Sequence, residues 1–584
     1  MHASTRVEDA PAAPTAPRQL VLLCDGTNNN LTGGHRDTNV VKLGELLVAH
    51  GHQDRLVHYD PGVGNPGELP GATLWDGFRR RLDRVYGLAF GRGVYENMLE
   101  TYLFLMRHHR PGDELYLFGF SRGAFTARSV AGLVNQFGIL QPHMEGMLPT
   151  LLHVYFSDRR HQDAYRAITD QIQRQFTDPA SRAVDVHFVG VWDTVAAVGL
   201  PPFDTRFTAL PTVAGKRFVQ VRQALALDEH RRPFRPRAYA GENGVFKTAS
   251  GLDGTLQQRW FPGAHGDVGG GQEPVHSALS DAALAWVVSE AVGCGLRLSA
   301  SGRPLDSEAA VLEALVALPA GHRDARAPRR HSELSDVALW ALAGMEVRDP
   351  GRVVMDGGAA MTITPVAHPA SDDLRNTLQN HPAAQPARIP RLVWLAMVVG
   401  VLAFAGAGQV LHGVPGTGSV IGDAIEALRS LSAYASAAAD FQVWQLTGWW
   451  QGAMADRYHL AFGRFESPRA ALVWDLLLIA SLAVVLSWFC ARAFHRIAGL
   501  RRVDDPPRVW LNRLGMALPL AVSADLAENL FTWVALSLGR ADVEVLASGA
   551  HVLAAACSVL KWVGLAGVLA LVLSGVRPTA DRRH

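Results

Sequence analysis

Up to about residue 390, short apolar runs alternate with longer amphipathic stretches and Gly-rich turns. A strand buried on both faces reads as a continuous apolar run, so this rhythm predicts an α/β unit: a mostly parallel sheet flanked by helices. Beyond residue 391 the pattern changes to long apolar segments at about 392–411, 470–490, 514–538 and 552–574. A bilayer core of about 30 Å needs about 20 helical residues, so each segment is long enough to span it. The expectation is an all-α membrane domain of four transmembrane helices over 391–576. Before it come a disordered tail (1–18), the α/β domain (19–300) and a linking segment (301–390); a basic tail (577–584) follows. The linking segment has amphipathic stretches at Ser307–Leu318 and Glu333–Gly344 and then a Pro/Ala-rich run.

Charge sharpens this picture. Only 19% of the 584 residues are charged, while 48% are hydrophobic. Disordered chains are charge-rich and apolar-poor, so wholesale disorder is excluded. Lys+Arg number 55 against 54 Asp+Glu, with no basic tract, which removes the electrostatic case for nucleic acid as a partner. Arginines gather at alternate ends of the apolar segments: Arg388 and Arg391, then Arg492, Arg496, Arg501, Arg502, Arg508 and Arg513, then Arg577, Arg582 and Arg583. The loops 412–469 and 539–544 lack that excess. The positive-inside rule then predicts a multi-pass protein of the cytoplasmic membrane of a bacterium, with both termini in the cytoplasm. Trp444, Trp449 and Trp450 of the long loop suit a membrane interface. The N-terminus has no apolar core of a secretory signal. The four cysteines have neither disulfide-framework nor metal-ligand spacing, and no metal or cofactor is expected.

The sharpest chemical signal is the run Glu114-Leu-Tyr-Leu-Phe-Gly119-Phe120-Ser121-Arg122-Gly123-Ala124. An apolar strand enters Gly-x-Ser-x-Gly and continues into a helix, the context of a nucleophile elbow. That strained turn needs small residues on both sides and presents Ser121 at the C-terminal edge of the sheet. A serine alcohol needs a base, and the base needs an orienting acid. Two later strand ends supply them: Trp192-Asp193-Thr194 and the loop Ala264-His265-Gly-Asp267-Val-Gly-Gly-Gly271. The chain order Ser121, Asp193, His265 is that of α/β-hydrolases. Asp267, two residues from His265, is the competing acid, read in preference as a loop-shaping or substrate-contacting group. The first strand, Gln19–Cys24, ends in Asp25-Gly26-Thr27 on the same edge. Backbone N–H groups of Gly26 or Thr27, with that of Arg122, are the expected oxyanion donors. Leu23 stands where a phosphatase-type motif would carry its second acid, so Asp25 is read as a substrate-contacting or hydrogen-bonding residue.

These pieces and their order, with Thr38-Asn39-Val40, Tyr59-Asp-Pro-Gly62, Pro111-Gly-Asp-Glu and Asp228-Glu-x-Arg-Arg232, resemble one α/β-hydrolase domain family over about residues 18–300. That family includes the first class of type VI secretion phospholipase effectors. The resemblance implies an α/β-hydrolase fold, a triad of Ser121, Asp193 and His265, and ester hydrolysis on phospholipid acyl chains. The expected protein is therefore a membrane-anchored serine ester hydrolase, with the lipid bilayer and a lipid or acyl-ester substrate as partners. A membrane half fits a resident enzyme better than an injected effector. The alternatives are a non-catalytic membrane sensor or transport protein with a degenerate domain, or a thioesterase or peptidase with the same triad. Stretches 65–95 and 141–180 are the lid candidates. In the third apolar segment Asp525, Glu528 and Asn529 share one helix face, with Asp475 and Lys561 as candidate partners; the reading is a polar site between helices or, in preference, a salt-bridge network that fixes helix packing.

Overall fold

The computed structural model describes residues 17–26, 36–50, 54–62, 92–157, 162–195, 212–318, 330–354, 360–371, 373, 389–412, 442, 445, 468–499, 502–506, 508–540 and 544–576. Residues 65–91 of the lid candidate 65–95, the tails 1–16 and 577–584, and the three loop tryptophans lie outside these residues.

Seven strands form the central sheet: β1 (Gln19–Cys24), β2 (Arg55–Asp60), β3 (Glu114–Phe120), β4 (Val186–Trp192), β5 (Phe218–Ala226), β6 (Gly244–Lys247) and β7 (Asp253–Phe261). Their order is β2-β1-β3-β4-β5-β7-β6. Every neighbouring pair is parallel except β6–β7 at the edge. The period of two in a strand sorts the side chains into two cores. Leu20, Leu22, Leu115, Leu117, Val189 and Val191 pack beneath the helices Arg92–His108, Arg122–Phe137 and Leu148–Tyr155. Val21, Leu23, Tyr116, Phe118, Phe188 and Trp192 face Asn39–Ala49, Ala278–Gly293 and Glu308–Val316. Both faces are covered, which explains why the strands read as unbroken apolar runs. The part of the lid candidate 141–180 that is described packs into the first core through Leu148, Leu151, Leu152 and Ile172.

In the linking segment, Ser307 caps the helix Glu308–Val316 by accepting from Ala310 N (3.3 Å). The second amphipathic stretch becomes a short helix, Glu333–Asp336, and a 3₁₀ turn, Ala338–Ala343.

In the membrane half, three candidate spans are found among the described residues: Ala471–Ala498, Val509–Leu538 and Val545–Gly575. This corrects the expectation of four. The first apolar segment does form a helix, Arg391–His412, of which the described apolar stretch Arg391–Phe404 is not among the three candidates. It lies against the helix Pro468–Ala498, with Gly400 facing Ser481 and Gly406 facing Trp474. Pro519 falls in the first turn of Ala517–Arg540, where the missing N–H costs nothing. Leu530, Val563, Leu569 and Leu573 are each more than half exposed, an outward apolar belt that water would penalise and lipid would not. The charged groups turn inward. Lys561 Nζ lies 3.1 Å from Asp525 Oδ1 and 2.5 Å from Glu528 Oε2, and Asn529 Nδ2 donates to Asp475 Oδ2 (2.7 Å). The network and its expected partners are present, as the cost of charge in hydrocarbon demands.

Candidate active site

Ser121 follows β3 and precedes the helix Arg122–Phe137, with φ 59° and ψ −122°. A β-carbon on Gly123 would lie 2.2 Å from Cys24 O, and one on Gly119 would lie 2.5 Å from Gly123 O. Glycine on both sides is thus a packing requirement of the elbow. Among the described residues only Ser121, Asp193 and Ser301 are non-glycines with positive φ. Such strain persists only where surrounding structure enforces it, and it gathers at functional sites. Ser121 N donates to Trp192 O (3.1 Å), and Val195 N donates to Ser121 O (3.4 Å). These bonds bind the elbow to the turn that carries Asp193.

Asp193 is wholly buried at the end of β4. Its Oδ2 lies 2.6 Å from His265 Nδ1, and its Oδ1 accepts from Ala226 N (3.0 Å). An ionised carboxylate at that distance selects the tautomer with the proton on Nδ1 and leaves Nε2 as the basic nitrogen. His265 opens a short helix after β7, stacked on the Phe120 ring at 4.7 Å and edge-on to Phe234 at 5.1 Å. The imidazole therefore meets the elbow through Phe120, the residue before Ser121. Ser121 Oγ itself has no hydrogen-bond partner among the described residues; in unliganded sites this contact is commonly formed only with substrate.

Asp267 does different work. Its Oδ2 accepts from Ala264 N and His331 N, both at 2.9 Å, while Oδ1 lies 2.6 Å from His331 Nδ1. It shapes the His265 loop and ties it to the linking segment. Asp25 is also a structural hub: Oδ1 accepts from Gly26 N (2.6 Å), and Oδ2 from Thr38 Oγ1 (2.8 Å) and Tyr59 Oη (3.0 Å). Gly26 N–H is thereby occupied, and Thr27 lies outside the described residues. Arg122 N–H, the first of its helix, has no carbonyl one turn back to bond. Burial pulls the half-buried Arg122 guanidinium down to about 10.

Several residues without a predicted role complete the site. Glu229 Oε2 accepts from His265 N (3.2 Å), and Oε1 takes Arg231 N (2.8 Å) and Nε (3.0 Å). Arg231 lies over the Phe234 ring at 3.6 Å. Arg348, from the linking segment, grips both oxygens of Asp193 at 2.6 and 2.9 Å. Burial by itself would raise the Asp193 carboxyl; the Arg348 charge, then the hydrogen bond and charge of His265, hold it below its ordinary range. Burial likewise opposes the Glu229 carboxylate, and Arg231 pulls it far below the usual range. Glu229 belongs to the motif Asp228-Glu-x-Arg-Arg232, whereas Arg348 carries no sequence signal.

Residues 18–290 match the family model described as the catalytic domain of Tle1-like type VI secretion system phospholipase effectors. The family read from the motifs is the one found. An uncharacterized protein of Saccharomyces cerevisiae, YEL023C, is 31% identical over 238 residues, covering 38% of this chain and 33% of that one. The chain thus matches about a third of the length of that curated relative. The crystal structure of an uncharacterized protein from Pseudomonas aeruginosa aligns over 88% of this chain and 67% of that one, at 15% identity and a TM-score of 0.29.

Proposed function

We propose, on the premise that residues 18–290 form a Tle1-like phospholipase-effector catalytic domain, that this protein is a membrane-anchored serine hydrolase of phospholipid or other lipid acyl esters. The family supports lipid hydrolysis; the serine chemistry is our reading of the site. The observation that carries it is the buried Asp193–His265 contact of 2.6 Å, built onto the turn beside strained Ser121.

In this mechanism Ser121 Oγ attacks the ester carbonyl carbon, and its proton passes to His265 Nε2. Asp193 holds the ring and stabilises the imidazolium. The tetrahedral oxyanion is met by the Arg122 N–H at the start of the helix Arg122–Phe137. Collapse breaks the ester C–O bond, and His265 returns the proton to the leaving alcohol. Water, deprotonated by the same imidazole, then attacks the acyl-enzyme and frees the fatty acid and Ser121. The apolar spans keep the site beside its substrate, and the arginines that flank them support a cytoplasmic-facing catalytic half. The test uses the full chain in detergent. Ser121→Ala abolishes both lipid-ester hydrolysis and covalent labelling by a fluorophosphonate. Labelling that survives the substitution ends the assignment.

A further inference from the structure

Arg348 lies outside the matched catalytic domain, yet its guanidinium is the cation seated on Asp193. It reaches Asp193 Oδ1 and Oδ2 at 2.6 and 2.9 Å, and it also donates to Ala226 O (2.6 Å) and Phe234 O (2.5 Å). Arg348 is only 5% exposed. A two-pronged pair in so dry a place is strong and directional.

The backbone that carries Arg348 is held from both halves: Glu346 N donates to His230 O (2.9 Å) on the catalytic side, and its neighbours are held by the membrane half. Asn512 reads both backbone groups of the preceding residue: Val347 N donates to Asn512 Oδ1 (2.7 Å), and Asn512 Nδ2 donates to Val347 O (3.0 Å). Met345 N donates to Gly515 O (3.1 Å). Met345 and Val347 are sunk among Phe494, Leu511 and Leu518 of the membrane helices. The 345–348 strip is therefore clamped on one side by a membrane-half asparagine and delivers an arginine on the other.

We propose that Arg348 is a positioning residue of the catalytic couple, and that the membrane half, acting through Asn512, sets the charge that His265 works against. A lone buried carboxylate favours the imidazolium strongly, whereas one already neutralised by a guanidinium favours it less. The guanidinium charge so placed opposes a second positive charge on the adjacent imidazole. The other charged groups around the couple are Glu229 paired with Arg231, Glu333 within 3.8 Å of Arg231, and Asp267 with His331. All remain in place when Arg348 alone is changed.

The inference rests on the serine-hydrolase reading, and its test separates the two. The readout is the rate at which Ser121 of the full chain in detergent is labelled by a fluorophosphonate, as a function of pH. In that step the Ser121 Oγ–P bond forms, fluoride leaves, and the proton goes to His265, so the acid limb reports the neutral imidazole. Arg348→Met moves the limb to higher pH by about 1 unit, the shift typical of losing one adjacent charge. Arg348→Lys, which keeps the charge and loses the fork, leaves the limb within about 0.3 unit while slowing labelling. Asn512→Ala moves the limb in the same direction as Arg348→Met by a smaller amount, and it carries the test should Arg348→Met fail to fold. Limbs that coincide with wild type in the folded Met and Ala variants overturn the inference, whatever their rates. Labelling that persists in Ser121→Ala overturns the hydrolase reading instead.

Discussion

Asp193 meets His265 and Asp267 meets His331 at the same 2.6 Å, and both carboxylates are buried. The surroundings differ. Asp193 shares its oxygens with a guanidinium and sits beside a serine held at positive φ. Asp267 spends one oxygen on two backbone N–H groups of its own loop and the linking segment, and its histidine neighbours the His276 ring at 5.4 Å rather than a nucleophile. A short carboxylate–imidazole contact is therefore by itself no signature of catalysis. In the proposed function it is the strained neighbour and the chain order that mark out the first pair.

The comparison breaks most sharply on activity. Asp193→Asn should lower kcat by about 10⁴, the loss expected when the imidazole takes the wrong tautomer, and His265→Ala should be at least as damaging. His331→Ala should keep lipid-ester turnover within about threefold of wild type. Equal losses in steady-state hydrolysis by the two histidine variants would erase the distinction.

Stability should reverse the ranking. Asp267→Ala strands the Ala264 and His331 N–H groups in a buried loop and should cost about 3 kcal/mol. A matching fall in the melting temperature of the full chain in detergent checks it. His331→Ala keeps those backbone bonds and should cost about 1 kcal/mol, read on the same transition.

The smallest expected difference is in acid sensitivity. Asp193 and Glu229 are held below their ordinary values of 3.8 and 4.5. The unfolded chain thus binds protons that the folded one refuses. Their contribution is complete above about pH 4.5 and is lost as pH falls toward the folded values. Melting temperature should drop between pH 5 and pH 3, and less steeply in Glu229→Gln, where one of these carboxylates no longer titrates. Parallel slopes would assign the acid sensitivity to other groups.

How much was legible follows from how local each signal is. The elbow could be read because strand, glycines and serine are contiguous, and each side of the turn leaves no room for a β-carbon. The parallel sheet could be read because strands covered on both faces lose their polar alternation. The order Ser121, Asp193, His265 came from strand ends, which topology brings to one edge. Arg348 could not be found this way: it is 155 residues from Asp193 and stands in a stretch with no period and no motif. Gly26 was a reasonable oxyanion donor by position, but only coordinates show its N–H turned to Asp25. Four apolar segments implied four crossings; the described residues carry three candidate spans, while the first segment forms a helix that lies against the helix Pro468–Ala498.

One shared core carries a practical lesson. Leu334, Ala341, Met345 and Val347 of the linking segment interleave with Cys490, Phe494, Leu511, Leu518 and Leu571 of the membrane helices. Cutting the chain ahead of residue 391, the obvious way to obtain a soluble fragment, would strip the cover from that greasy seam and release the strip bearing Arg348. A trimmed preparation should clump in buffer, and whatever stays dissolved should be a poor guide to how the intact protein responds to acid.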